Sequence, residues 1–334
     1  ITGGFNAVCV TDLVQSIVMT GALAIVLIYG ISRAGGWTAV MDNAAALPGY
    51  LSLTSTFDVA SGSEVKYNFL TIFSTAAWGL GYFGMPHILV RFMAIEDEKK
   101  LVLSRRIASV WVVIAMTAGV LIGIVGLGMT KAGALDTLTG SNSETIIVRI
   151  AGIISQHNAL TALIAGIILA GILAATMSTA DSQMLAAASG VSQNIVHDFL
   201  KIKISEKTNL LIARLTIVGI AIVSIFLARN PDSSVFKIVS FAWAGFGGAF
   251  GAVVLCSLFW KRCNLAGAIA GIISGGATVF IWKYLVRPLG GILDIYELLP
   301  AFIVSLIFII VVSLLTKAPD EEIVREFEAA GKKA

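Results

Sequence analysis

The sequence predicts an all-α integral membrane protein. Three observations carry that expectation. Of 334 residues, 57% are hydrophobic; only 13% are charged, against roughly 25% in ordinary soluble domains; and the apolar residues gather in membrane-length runs. A mean hydropathy of +0.92 leaves more apolar side chain than one soluble core can enclose. A soluble enzyme, a nucleic-acid binder and a disordered chain are thereby excluded.

A membrane-spanning helix takes about 20 mostly apolar residues. Eight segments meet that length: about 3–31, 70–93, 107–129, 158–196, 209–228, 235–260, 265–286 and 299–316. The runs are too long and too seldom alternating for barrel strands, so residues 1–316 read as one transmembrane domain. Between the first two lies 32–69, expected as a polar loop rich in Gly, Ser, Thr and Asp. The 158–196 segment exceeds a simple span and is expected to tilt or to project past the bilayer. Residues 317–334, KAPDEEIVREFEAAGKKA, form a charged tail with a solvated helix after Pro319.

Taking the sides alternately puts 15 of the 23 Lys and Arg residues on one face and 8 on the other. The richer face is expected to be cytoplasmic, which places the C-terminal tail there in a multi-pass plasma-membrane protein. Cys9, Cys256 and Cys263 have no ligand spacing. The opening Ile-Thr-Gly-Gly follows no basic leader and enters a membrane segment almost at once, so the beginning of the protein is expected to lie elsewhere.

Polar residues inside apolar runs are where function is sought, because charge in a bilayer is costly. Asp12 lies in the first run. It either faces a polar crevice or a neighbour's hydroxyl, or serves as a cation ligand or proton carrier. The fourth run holds ATMSTADSQ, residues 175–183. Helical spacing points Ser178, Asp181 and Ser182 one way, with Ala175 one turn earlier and Thr179 at the edge. Hydroxyls, a carboxylate and a backbone carbonyl make a hard-oxygen surface that suits hard cations. Small residues of this kind also serve plain helix packing.

The second run reads WGLGYFGMPH over 78–87. Its three glycines and one proline are expected to break the helix at mid-membrane depth. Unwound backbone is tolerated there only beside a cavity or inside protein, and transporters use it to present carbonyls and amides to ligands. Trp78 and Tyr82, spaced i and i+4, are expected to share a helical face and to wall an apolar pocket; a proline kink with packing aromatics is the alternative. His87 and Trp243 read first as structural.

Two motifs, WGLGYFGMPHILVRFMAI and ILAATMSTADSQML, resemble the sodium:solute symporter family, and within it the bacterial sodium/proline branch. GGFNAVCVTDLVQSIVM is similar to the family's fifth core helix and FAWAGFGGAFGAVVL to its tenth. The resemblance implies a partial LeuT-type inverted-repeat transporter fold, with core helices five to ten and two accessory helices in this chain. It implies a sodium site of the Ala175 carbonyl with Ser178 and Thr179, and a second cation site of Asp12, Ser178, Asp181 and Ser182. It implies substrate contacts at Trp78, Tyr82, Met85 and Pro86; Met85 departs from the glutamine expected before that proline. The expected activity is sodium-coupled import of a small solute, L-proline first, with Na+ as coupling ion, no cofactor, no enzymatic chemistry and no nucleic-acid partner. Another amino acid, pantothenate, a monocarboxylate, proton coupling and a transporter-like sensor module stand as alternatives.

Overall fold

The computed structural model describes residues 4–202, 205–229 and 234–331. Residue 3 of the first expected segment and residues 332–334 of the tail lie outside these. The chain divides into two compact units, one drawn from 1–65 and 94–233, the other from 66–93 and 234–334. Among the described residues, seven helices are long and apolar enough to cross a membrane.

In the first unit, α1 (Gly4–Arg33) packs most extensively on α7 (Ala159–Ser189) and also on α5 (Leu101–Lys131). Val26, Ile122, Val125, Met129, Ile150 and Ile168 form the core where these helices meet α6 (Ile146–Ser155). Asn158 starts α7 with a reciprocal cap: its side chain accepts the Thr161 N–H at 3.0 Å, and the Thr161 hydroxyl accepts the Asn158 N–H at 2.9 Å. The helix then continues as a π-helix through Gly190–Phe199, giving the expected over-long element, 41 residues in all. α8 (Glu206–Leu227) follows with no buried residue, the exposure expected of a helix whose solvent is lipid.

The expected polar loop at 32–69 is more ordered than its composition suggested. Gly35 and Gly36 take φ of 91° and 98°, a left-handed pair open to glycine at little cost, and turn the chain into α2 (Trp37–Ala45). Val40 and Ala44 of α2 are fully buried, and Gly128 of α5 leaves room for Val40. A two-stranded hairpin, β1 (Ser55–Asp58) and β2 (Ser63–Lys66), follows. Two buried apolar side chains one turn apart suffice to dock a nine-residue helix, a pattern hidden among polar neighbours.

In the second unit, the expected span at 70–93 is not one helix. α3 (Phe69–Ala76) ends in a 3₁₀ segment over Ala77–Gly84; Met85 is extended at φ −86° and ψ 110°; α4 (Pro86–Met93) then begins. Proline at the first helical position needs no N–H, so the break and the restart share one residue pair. α9 (Val235–Phe246) passes through a π segment, Gly247–Gly251, into α10 (Ala252–Phe259). α11 (Leu265–Ile281) and α12 (Leu298–Leu315) form the tightest pair of this unit, and α13 (Glu321–Gly331) is the helix expected after Pro319. Between α11 and α12, Gly267, Gly271 and Gly275 lie against Ser313, Ile309 and Ser305, and the Ser305 hydroxyl donates to the Gly271 carbonyl at 3.0 Å. Small residues every fourth position allow this backbone approach.

Candidate functional sites in the two units

In the first unit the hydroxyls of α7 turn back on their own helix. Ser178 Oγ donates to the Ala175 carbonyl at 3.1 Å, and Thr179 Oγ1 reaches the same oxygen at 3.5 Å. Ser182 Oγ donates to the Ser178 carbonyl at 3.0 Å. The Ala175 carbonyl and the two hydroxyls thus lie together on one turn of α7. A hydroxyl that gives its proton inward keeps its lone pairs for an incoming cation. Ser182 is buried, Ser178 and Asp181 are half-buried, and Thr179 is exposed.

The partner helix is α1. The two run antiparallel: Tyr29 meets His157 edge-on at 6.3 Å just before α7 begins, while a Cβ on Gly171 would lie 2.7 Å from that of Ala22. Oδ1 of Asp12 and Oε1 of Gln15 are both sealed from the surface. Gln15 Oε1 has no hydrogen-bond partner among the described residues, and Gln15 was not among the residues the sequence reading singled out. Its signal was available: it lies one turn from Asp12 in the same membrane-length run.

The second unit holds the helix break and its aromatic surround. Trp78 is half-buried, with ring centroids 5.4 Å from Trp243, 5.6 Å from Phe236 and 5.8 Å from Tyr296, all within 18° of parallel. Tyr82 meets Trp243 edge-on at 4.8 Å. In a 3₁₀ segment it is i and i+3 that eclipse, so Trp78 and Tyr82 do not share one helical face as expected. They meet instead around Trp243, whose indole N–H donates to the Trp78 carbonyl at 3.0 Å. That bond occupies one of the carbonyls which unwinding exposes. Tyr82 and Pro86 are exposed, whereas Met85 is only 3% exposed.

The close approach is made by glycine. A Cβ on Gly81 would collide with the Trp243 indole, and one on Gly84 with the Phe246 carbonyl. Trp243, read from the sequence as packing, is therefore the residue on which the break is built.

These features define a polytopic α-helical membrane protein with an oxygen cluster on one long helix and a second helical segment interrupted by a 3₁₀ stretch. Residues 1–275 match the model of the family described as "SSF: Sodium:solute symporter family". The osmoregulated proline transporter OpuE of Bacillus subtilis is 39% identical over 325 residues, covering 97% of this chain and 62% of that protein. The sodium/proline symporter of Escherichia coli is 37% identical over 329 residues, covering 98% of this chain and 62% of that protein. A solved structure of a Na+-coupled sialic acid symporter, in a substrate-bound outward-open state, has the same fold at a TM-score of 0.69 and 17% identity, over 95% of this chain and 64% of its own. The chain belongs to the sodium:solute symporter family. It spans 62% of the length of both curated relatives.

Proposed function

We propose that this protein is a sodium-coupled secondary active symporter that imports L-proline. The observation that carries the sodium half is the Ala175 carbonyl with the Ser178 and Thr179 hydroxyls gathered on it. Oxygen donors without a sulfur or imidazole ligand suit a small hard cation. In this reading Asp12, Ser178, Asp181 and Ser182 form a second cation site, and the two carboxylates add the charge that the first cluster lacks. The fold is read as a partial LeuT-type inverted repeat, with core helices five to ten and two accessory helices. Residues 1–316 form the transmembrane domain, and 317–334 form a tail on the cytoplasmic face of the plasma membrane. No cofactor enters; sodium is cargo and coupling ion.

Proline docks at the break in this proposal. Its apolar ring lies against Trp78 and Tyr82, its charged groups meet backbone amides and carbonyls freed near Pro86, and Met85 sets the shape from behind. The relatives' names support proline over other solutes. One sodium entering down an inside-negative potential of 100 mV releases about 2.3 kcal/mol. Since tenfold accumulation takes about 1.4 kcal/mol, that alone supports more than one order of magnitude. The test is uptake of radiolabelled L-proline into proteoliposomes carrying the intact transporter, with an inward sodium gradient and with choline in its place. Sodium-dependent uptake supports the proposal. Uptake that ignores sodium and follows external pH reassigns Asp12 and Asp181 to proton coupling, and competition by pantothenate or a monocarboxylate but not by proline reassigns the solute.

A further inference from the structure

The connector between α11 and α12 carries a buried charge cluster. Glu297 is only 1% exposed and accepts from Lys283 at 3.2 Å and from Arg287 at 3.0 Å. Arg287 also donates to Asp294 at 2.8 Å, and the Lys283 ammonium stands 4.6 Å from the centre of the Phe241 ring. A buried carboxylate is tolerated only where its cations are held against it. The cluster therefore gives the connector one place to be.

Its product is the placement of the preceding residue. Tyr296 touches three elements around the helix break. Its backbone N–H donates to the buried Ser74 hydroxyl of α3 at 3.1 Å, its own hydroxyl donates to the Ser240 carbonyl of α9 at 2.7 Å, and its ring lies on Trp78. Burial and the adjacent Glu297 charge raise the Tyr296 phenol above its ordinary range, so it remains a donor at any physiological pH. Trp243 anchors the break through the Trp78 carbonyl; Tyr296 constrains the ring itself.

We propose that Tyr296, fixed in place by Glu297, is a positioning residue that sets the plane of the Trp78 ring and so tunes solute affinity without touching the solute. The inference rests on the break being the solute site. It gives the accessory helices a role in shaping a site to which they contribute no ligand.

The experiment compares Tyr296→Leu with Tyr296→Phe in the intact transporter. Tyr296→Leu removes the ring and the hydroxyl; Tyr296→Phe keeps the ring and loses only the bond to Ser240. The half-saturating proline concentration is expected to rise about tenfold in Tyr296→Leu, the scale of one lost aromatic pair, with the maximal rate per folded carrier retained. Tyr296→Phe moves it less. Amide exchange over residues 77–85 is expected to quicken in Tyr296→Leu while that of 265–281 stays as it was. Equal half-saturation in Tyr296→Leu and the unaltered protein, with unaltered exchange over 77–85, overturns the positioning role. If the unaltered protein takes up no proline, the solute reading falls instead, and the exchange comparison decides the role of Tyr296 by itself.

Discussion

Two glycines in the helix break, two residues apart, are expected to respond oppositely to the same added methyl. A Cβ on Gly79 meets nothing within 4 Å, whereas one on Gly81 lands on the Trp243 indole. Trp243 cannot yield by rotating a flexible end. It is stacked on Trp78, crossed by Tyr82 and bonded to the Trp78 carbonyl at 3.0 Å. Overpacking of this kind costs about 1–3 kcal/mol, and the displaced indole also forfeits a hydrogen bond of about 1 kcal/mol. Gly81→Ala is therefore expected to destabilise the protein by about 3 kcal/mol. Gly79→Ala is expected to be neutral, or to stabilise by about 0.5 kcal/mol through a less flexible unfolded chain. Thermal unfolding of the two purified variants, followed by tryptophan fluorescence in the same detergent, makes the comparison. Gly81→Ala should unfold several degrees below the parent and Gly79→Ala at or above it. Equal unfolding temperatures for the two variants would refute the close packing of Gly81 against Trp243.

Three further outcomes follow from other parts of the structure. Ser178→Ala or Thr179→Ala should raise the sodium concentration for half-activation of uptake by about tenfold or more, the value of a ligand to a charged group. Folding should be almost unaffected, since among the described residues each hydroxyl bonds its own helix; unchanged sodium dependence in both variants removes the site. Trp78→Ala should raise half-saturating proline well beyond Trp78→Phe, which keeps a stacked ring, while both variants keep the backbone carbonyl that Trp243 needs; identical affinities would leave the ring a packing residue. The Asp58 carboxylate is held below its ordinary 3.8 by the Ser61 hydroxyl and the N–H groups of Ala60 and Ser61. A lowered carboxylate stabilises above its unfolded value and loses that effect as pH falls through the folded one. Protection of the amides over 55–66, taken relative to the unfolded chain at each pH, should therefore stay constant from neutral pH to about 4 and fall only in stronger acid; a fall in protection between pH 7 and 5 would contradict this.

Composition and run length made the membrane class and most spans readable, because lipid admits few alternatives for the backbone. The break at 77–85 was readable as well, since Gly and Pro act locally. The closeness of Ser178 and Thr179 to the Ala175 carbonyl needs only one turn of one helix, but it was the family resemblance, and not the spacing, that singled out these three. What the sequence hid is non-local. Trp243 and Trp78 are 165 residues apart, Tyr296 and Ser74 are 222 apart, and no local pattern marks such pairs. The α2 helix was hidden differently: Val40 and Ala44 form its whole buried face, too short a stripe to stand out within 32–69.

The three-glycine seam between α11 and α12 bears on how such a protein can diverge. A methyl gained at Gly267, Gly271 or Gly275 strikes Ser313, Ile309 or Ser305, so neither helix of the pair can drift alone. Recombination between relatives should transplant both helices together or neither, and the crossover points that yield working hybrids should fall outside 265–315.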